Sequence, residues 1–280
     1  MKLLTQGDDY GFTKAVTLGI IEGIDNGILR NTGMFTNMPS AVLGAELMKG
    51  REDKACFGID FNLVSGPSAA DPAKIPHLVD ENGQFIRSGV RIRDPRWQSE
   101  AGRREMFPYD EVETEIYAQY NRFIELTGRK PGYLHGHSIQ HEHYNEAIRK
   151  LSAEVDVPYS GDIRAKFPFV GFMDFKKRPD APVTNASTSK QFDPVAQINK
   201  NTLADVLYNK DLILNSEYAM IGGHPGYIDA ELVGLTSLSL ERCRDLEMLT
   251  SQEMKDFVKD NNIQLITYYD LVKELKERGE

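Results

Sequence analysis

Short apolar runs alternate with stretches of helical periodicity through the first 64 residues. Residues 2–6 are partly apolar, 30–38 contain Met34, Phe35 and Met38, and 55–64 are largely apolar with near-strict alternation; each run is followed by Gly, Pro or Ser, which is typical of strands. Residues 15–24 space their apolar side chains three and four apart and stop at Asn26-Gly27, which predicts a helix, and 41–49 predicts a second. This order indicates parallel strands with helices packed outside.

The rest of the chain repeats the order less regularly. Further strands are predicted at 132–135, 218–222 and 264–267, and further helices at 109–127, 144–155, 201–208, 251–260 and from 270. Residues 65–108 and 157–200 lack periodicity, and long irregular segments in a compact domain are usually functional. With no internal repeat or linker, we predict one catalytic domain over residues 1–280, a single-domain irregular (β/α) TIM-like barrel with insertions near 65–108 and 157–200. The chemistry of such barrels lies at the carboxyl ends of the strands.

The composition and net charge restrict which binding partners and substrates are expected. The 280 residues are 40 % hydrophobic and 27 % charged, as expected for a globular protein with a sizeable core. The net charge of −9, with no basic stripe, makes nucleic acid and anionic membranes poor partners. A small, neutral or weakly charged substrate is expected, and the commonest assembly of such proteins is a homodimer.

The cysteines and the chain's first residues bear on localisation. Cys56 and Cys243 are the only cysteines and form no CxxC pair, so we expect buried thiols in a reducing compartment. The opening MKLLTQGDDYG turns polar too soon for a signal peptide, and no stretch reaches the roughly 20 apolar residues of a membrane helix. These features predict a cytoplasmic protein.

Four groups of polar residues fall at the ends of predicted strands. They are Asp8-Asp9, Asp60 with Asn62, the cluster from His135 to His143, and His224. A barrel would bring them to one mouth, which is what a catalytic site requires. The adjacent Asp8 and Asp9 could divide two jobs, metal ligation and proton transfer, although either could instead cap the helix that starts near Thr13.

Asp60 interrupts the apolar strand ACFGIDFNLV. Gly58, Asp60 and Asn62 share one face of that strand, and in a barrel this face lines the lumen. A buried carboxylate there costs several kcal/mol unless it is paired or bound to a cation. The alternative is a surface strand with a polar outer face.

The segment HGHSIQHEH contains four of the six histidines. His137 and His141 are four residues apart, so they would share one face if the helix has begun by Ser138, and could grip one cation. A surface tract is the alternative, but such tracts usually lie in low-complexity runs. A mixed histidine and carboxylate set favours one divalent ion, zinc first, with manganese, iron or cobalt as other choices and magnesium less expected.

Two further residues could contact the substrate during catalysis. His224, in IGGHPGYID, could act as a general acid at neutral pH, or could be structural. Trp97 could stack on a sugar ring, or anchor the insertion on the barrel rim.

At this point the residues resemble a known family. GDDYGFTKAVTLGIIEGIDNGILRNTGMFTN, GIDFNLVSGP, FIELTGRKPGYLHGHSIQHEH, GGHPGYID and RCRDLEMLTSQEM are similar, in this order, to the blocks of YdjC-like carbohydrate deacetylases. These enzymes are related to chitooligosaccharide deacetylases and, more distantly, to NodB-type polysaccharide deacetylases. The resemblance covers nearly the whole chain.

The resemblance implies a metal-dependent deacetylase on an irregular (β/α) barrel. By position, Asp8 would be the catalytic base, Asp9, His137 and His141 metal ligands, and His224 the acid that protonates the leaving amine. The family usually has His where this chain has Asp60, which would then be a carboxylate ligand and could shift the preference toward manganese or magnesium. The family also has Asp where this chain has His135, so that residue's role does not simply transfer.

The leading hypothesis is therefore the removal of an acetyl group from a small N-acetylated sugar or oligosaccharide of the chitooligosaccharide type. Trp97, Asn62 and His135 are expected to face the substrate. A metal-dependent isomerase or phosphoesterase acting on a sugar phosphate is a second hypothesis, for which Arg91, Arg93 and Arg96 could supply phosphate contacts. A sugar- or metal-binding relative without turnover is the third.

Overall fold

The molecule is built on one parallel β-sheet with helices packed around it. The structure is a computed structural model that describes residues 1–181 and 193–279. The strands are β1 (Lys2–Tyr10), β2 (Asn31–Met34), β3 (Cys56–Phe61), β4 (Leu134–Gly136), β5 (Phe169–Val170), β6 (Tyr218–Gly223) and β7 (Gln264–Ile266). Their pairings are all parallel, so their carboxyl ends lie at one edge of the sheet.

Strand β1 is the centre of this sheet. The strand order is β4-β3-β2-β1-β6-β5, and β7 pairs with the first three residues of β1. The parallel α/β architecture predicted from the sequence is confirmed as a half-barrel. A complete TIM barrel is not seen within residues 1–181 and 193–279, because the outermost strands β4 and β5 do not pair with each other.

The helices follow the strands, as the alternating pattern predicts. They are α1 (Lys14–Asp25), α2 (Ala41–Met48), α3 (Ser88–Arg93), α4 (Glu100–Met106), α5 (Tyr109–Thr127), α6 (Glu142–Val155), α7 (Ser160–Arg164), α8 (Pro194–Asn199), α9 (Thr202–Tyr208), α10 (Lys210–Leu214), α11 (Ala230–Leu235), α12 (Glu241–Thr250), α13 (Gln252–Asp260) and α14 (Tyr268–Arg278). The described helices include none that is long and apolar enough to cross a membrane.

The two segments predicted to be irregular contain short elements. The first, 65–108, holds α3, α4 and two single 3₁₀ turns at Pro72–Lys74 and Pro95–Gln98. The second, 157–200, holds α7, the two-residue strand β5 and α8, and its residues 182–192 lie outside the described residues. The sequence pattern did not predict strand β5 or helices α3, α4, α7, α8, α10, α11 and α12.

The core divides between the two faces of the sheet. The larger cluster packs helices against one face, with Val16, Ile20, Phe123 and Ile148 all buried. The smaller cluster includes Leu4, Cys56, Tyr133, Tyr218 and Tyr268. Because side chains alternate along a strand, this smaller cluster lies on the face that also carries Asp8, Asp60 and His135, each two or four residues further on.

Candidate active site

Three ligand-type side chains meet where β1, β3 and β4 end. Asp8, Asp60 and His135 each place one possible ligand atom within 4.8 Å of the others. Asp60 and His135 are register partners on the neighbouring strands β3 and β4. We call these three residues the triad.

Asp60 is the buried member of the triad. Its carboxylate is fully buried, its Oδ2 accepts a hydrogen bond of 2.9 Å from the Asp9 amide, and its Oδ1 has no partner among the described residues. Gly33 on β2 makes the space, since a Cβ there would lie 2.1 Å from Asp60 Oδ1. The strand β2 therefore needs glycine opposite this carboxylate.

Burial raises the pKa of Asp60 well above its usual value, and the neighbouring carboxylates of Asp8 and Asp9 raise it further. The unpartnered Oδ1 and the crowded negative charge are both relieved by a cation. Two carboxylate oxygens and one imidazole nitrogen are a donor set that suits zinc and related divalent ions. The triad fits a divalent metal ion.

A hydrogen-bond network orients the other two members of the triad. The Gln6 amide donates to Asp8 Oδ1 at 2.7 Å, and the hydroxyl of Tyr268 donates to Gln6 Oε1 at 2.6 Å. The Nδ1 of His135 lies 2.6 Å from the hydroxyl of Ser160, which leaves Nε2 as its ligand atom. Burial lowers the pKa of His135 to about 4, so the ring is neutral, the form that binds metal.

Asp9 lies beside the triad but is occupied by other contacts. Its backbone φ of 73° is left-handed, and the register of β1 against β2 shifts between Gly7 and Tyr10. This kink turns the two adjacent carboxylates to different neighbours. Asp9 Oδ2 forms a fully buried ion pair of 2.6 Å with Arg242, and Oδ1 lies 3.0 Å from Nδ1 of His137.

The charge state of Asp9 follows from these contacts. Burial alone would raise its pKa, but the Arg242 guanidinium, together with His137, outweighs burial and holds the pKa well below its usual value. Asp9 is therefore ionised at neutral pH. A carboxylate against Nδ1 fixes the orientation of the His137 ring and leaves Nε2 as its free nitrogen.

His224 follows the last residue of β6. Strand β6 pairs with β1 as far as Gly223 opposite Gly7, so His224 lies alongside Asp8 in the sheet. Its backbone amide donates to Asp245 Oδ2 at 3.0 Å, and Asp245 in turn forms a 2.9 Å ion pair with Lys200. The buried Asp245 carboxylate, paired with the partly exposed Lys200, holds the turn that carries His224.

His141 is not one of the three triad residues, and its buried Nε2 has no hydrogen-bond partner among the described residues. Helix α6 begins at Glu142 rather than near Ser138, so His137 and His141 do not share a helical face. His141 is the N-cap: its Nδ1 accepts from the Tyr144 amide at 3.4 Å, and its ring packs at a tilt of 33° against Phe107 with centroids 4.2 Å apart. Burial lowers its pKa to about 3.

Asn62 and Trp97, the two remaining candidates for substrate contact, both make contacts with other residues of the protein. Asn62 is fully buried, and its amide donates to Asn37 and to the Ser65 carbonyl while its Oδ1 accepts from the amides that follow it. Trp97 packs edge-on against Phe107, with centroids 6.4 Å apart. Both residues shape the insertion that begins after β3.

The arginines considered for phosphate binding are largely engaged elsewhere. Arg91 is buried and donates to the carbonyls of His77 and Met106. Arg96 is held by Asp94 and Glu105 at 2.7 and 2.8 Å. Their contacts stabilise the insertion.

Sequence reasoning did not single out Arg242, Gln6, Ser160 or Tyr268. Arg242 lies in the segment RCRDLEMLTSQEM, which resembled a family block, so that segment could have identified it. The other three are common polar residue types on a strand or at a helix start, and their pattern gives no comparable signal.

Comparison with known proteins supports the resemblance. The family model described as "YdjC-like protein" matches residues 2–260. "Carbohydrate deacetylase 2" of Listeria innocua is 30 % identical and is matched over 98 % of this chain and 100 % of its own length. "Chitooligosaccharide deacetylase" of Proteus mirabilis is 26 % identical over 96 % of this chain and 98 % of its own length.

One solved structure has the same fold. It is the crystal structure of a protein from Enterococcus faecalis titled a putative cellobiose-phosphate cleavage protein, with a TM-score of 0.71 at 22 % identity. The match covers 96 % of this chain and 98 % of that chain. The shared half-barrel therefore extends over nearly the full length of both proteins.

Proposed function

The chain belongs to the YdjC-like family, and from that premise we propose that it is a metal-dependent hydrolase that removes the acetyl group from an N-acetylated sugar or short oligosaccharide. The observation that carries this proposal is the triad of Asp8, Asp60 and His135 next to the contact between Asp9 and His137. Relatives named for carbohydrate deacetylation, matched over almost their whole length, support the substrate class.

In this proposal the triad holds one divalent ion, zinc first and manganese or magnesium as alternatives. The ion supplies Lewis-acid polarisation of the acetamide carbonyl. Gln6 and Ser160 keep Asp8 and His135 in their ligand orientations. Gln6 binds Oδ1 of Asp8 and Ser160 binds Nδ1 of His135, and these hydrogen bonds prevent the two side chains from rotating.

Asp9 takes a different role from the one that the resemblance implies. Its Oδ2 is committed to Arg242, and its Oδ1 lies 3.0 Å from Nδ1 of His137 without forming a well-directed hydrogen bond; from this placement we assign Asp9 to positioning rather than to metal binding. His137 is the proposed general base. Its Nε2 accepts a proton from the attacking water, and the ionised Asp9 stabilises the imidazolium that results.

His224 is the proposed general acid. The water oxygen bonds to the carbonyl carbon, the C–N bond breaks, and the leaving amine receives a proton from His224, so that the products are acetate and a free amino sugar. His137 and His224 follow β4 and β6, on the two sides of β1, and this separation supports a base and an acid that act from different sides of the bound acetamide.

The test is acetate release from N-acetylated sugars by the purified protein, before and after chelator treatment and after return of single metal ions. We expect activity to be lost with the metal and restored by zinc. His137→Gln should retain metal but lose turnover, by about 10²- to 10⁴-fold for a lost acid–base catalyst. Acetate release by the chelated protein at the original rate would contradict the proposal.

A further inference from the structure

A groove lies at the rim of the sheet, between the insertion that follows β3 and helix α11. Its volume is about 370 Å³. Ser65, Gly66, Gln84, Arg87 and Val90 line one side, and Leu235 lines the other. This volume is in the range of small-molecule sites.

Both walls of the groove continue from strands of the active site. One wall begins five residues after Asp60, and the carbonyl of Ser65 is held there by the amides of Asn37 and Asn62. The other wall is the end of α11, eleven residues after His224. Parallel strands end at one edge of the sheet, so both walls of the groove start from the edge that carries the triad.

A contact across the groove ties its walls together. Arg87, on the insertion, donates from Nη2 to the carbonyl of Gly234 on α11 at 2.7 Å. Within the insertion wall itself, the amide of Phe85 donates to the carbonyl of Gly66 at 2.8 Å. The insertion therefore reaches from the end of β3 to the helix after β6, past the ends of β2 and β1.

The lining fits a sugar better than an anion. Within the described residues, the side-chain amide of Gln84 has no hydrogen-bond partner and Arg87 has no carboxylate within 4 Å, so both have free donors. Asp80 adds a carboxylate to the same lining, which disfavours phosphate and carboxylate ligands. Val90, 52 % exposed, and Leu235 add apolar surface that can cover the C–H face of a pyranose ring.

We propose that this groove binds the sugar residues next to the one that is deacetylated, so that the protein acts on an oligosaccharide and discriminates by chain length. This inference rests on the proposed function, and it adds a site that makes the activity depend on the length of the oligosaccharide. Hydroxyl groups of the bound sugar would accept from Arg87 and Gln84 while a ring packs on Val90.

The test uses a variant whose larger side chain fills the groove. Val90→Trp projects an indole into it, and Ile92→Trp is the matched control, because Ile92 is an exposed residue (41 %) on the same helix α3 that does not line the groove. Acetate release is measured with N-acetylglucosamine and with N,N′,N″-triacetylchitotriose, and kcat and KM are separated. Calorimetry measures triacetylchitotriose binding by the same proteins.

We expect Val90→Trp to lower kcat/KM for the trisaccharide by about tenfold or more, mainly through KM, since a filled subsite removes ground-state and transition-state contacts equally. Turnover of the monosaccharide should stay within about twofold, and Ile92→Trp should change neither value. An unchanged preference for chain length in Val90→Trp would overturn the inference and leave the proposed function standing.

The binding measurement distinguishes a failure of the proposed function from a failure of the inference about the groove. If the wild-type protein releases no acetate from either sugar, the proposed function fails. Triacetylchitotriose binding that Val90→Trp weakens, and Ile92→Trp does not, would still support the groove as a sugar site. No binding by the wild-type protein would overturn the inference.

Discussion

Asp60 and His135 are direct register partners on the neighbouring parallel strands β3 and β4. The resemblance to YdjC-like proteins implied a histidine at the first position and an aspartate at the second, and the chain has the two types the other way round. Taken separately, these were two departures from the family pattern. In the structure they are one exchange between adjacent positions, which keeps one carboxylate and one imidazole beside Asp8.

This exchange predicts that the metal preference depends on the residue types at both Asp60 and His135. His135→Asp should leave three carboxylates in the triad, lower zinc affinity by at least about tenfold and favour magnesium or manganese, since harder ions prefer oxygen ligands. Adding Asp60→His to the same chain should restore the zinc preference. Titration with each ion measures both affinities, and a double variant that binds zinc no better than His135→Asp would contradict the exchange.

Asp60→Asn should separate metal binding from folding. The amide keeps an oxygen for the Asp9 N–H but removes a fully buried carboxylate crowded by Asp8 and Asp9. The metal-free variant should therefore be at least as stable as the wild type, because an uncompensated buried charge is costly. Zinc should raise the Tm of the wild type and not that of the variant, because a ligand stabilises only the state that binds it. An equal Tm rise in both proteins would remove Asp60 from the metal site.

The buried pair of Asp9 and Arg242 should be needed for both stability and catalysis. Arg242→Met leaves the Asp9 carboxylate without its cation, and breaking a buried pair in this way costs about 3–5 kcal/mol of unfolding free energy. The pKa of Asp9 should rise, and the acid limb of the pH–rate profile should move to higher pH. Urea unfolding and kcat/KM against pH measure the two effects.

The matched comparison is the double variant Asp9→Asn, Arg242→Met, which removes both charges. Its loss of stability should be smaller than the sum of the single losses, because the two residues are in contact. Additive losses would show that the ion pair is energetically unimportant.

His141 should contribute to stability and not to metal binding. His141→Asn keeps a good N-cap for α6 but removes the ring that packs on Phe107. We expect the unfolding free energy to fall by about 1–3 kcal/mol for the lost packing, with the zinc-induced rise in Tm unchanged. Loss of zinc binding in this variant would instead restore His141 to the ligand set that the histidine spacing suggested.

The sequence predicted the local elements of this structure better than the long-range contacts between them. Periodicity and glycine or proline boundaries predicted six of the seven described strands and seven of the fourteen described helices, because both signals are contained in a few neighbouring residues. The alternation in ACFGIDFNLV placed Asp60 on one face with Gly58, and the structure has Asp60 buried there.

The proposed ligand set depends on features of the fold that the hydrophobic and polar pattern does not contain. The left-handed backbone at Asp9 separates it from Asp8, and the start of α6 at Glu142 separates His141 from His137. Neither the kink nor the exact start of the helix can be read from spacing alone. Arg242 reaches Asp9 across 233 positions of the chain, a contact that only the tertiary fold creates.

Glu115 should give the protein a pH-dependent stability. It is fully buried on α5, where its carboxylate accepts from the amides of Ala69 and Ala70 and from Gln119, and burial raises its pKa from 4.5 to about 7. Because the folded pKa lies above the unfolded one, the folded state keeps the proton longer. The stabilisation is complete below pH 4.5, falls as the pH rises to 7 and is lost above it, by up to about 3 kcal/mol.

The matched variant is Glu115→Gln, which stays neutral at every pH. Urea unfolding at intervals from pH 4.5 to 8 should show the wild type losing stability relative to the variant across this window, while every other titrating group is common to both. A constant difference between the two curves would mean that Glu115 is ionised in the folded state throughout, held by its three donors, and that the loop from Ser65 to Ala70 does not respond to pH.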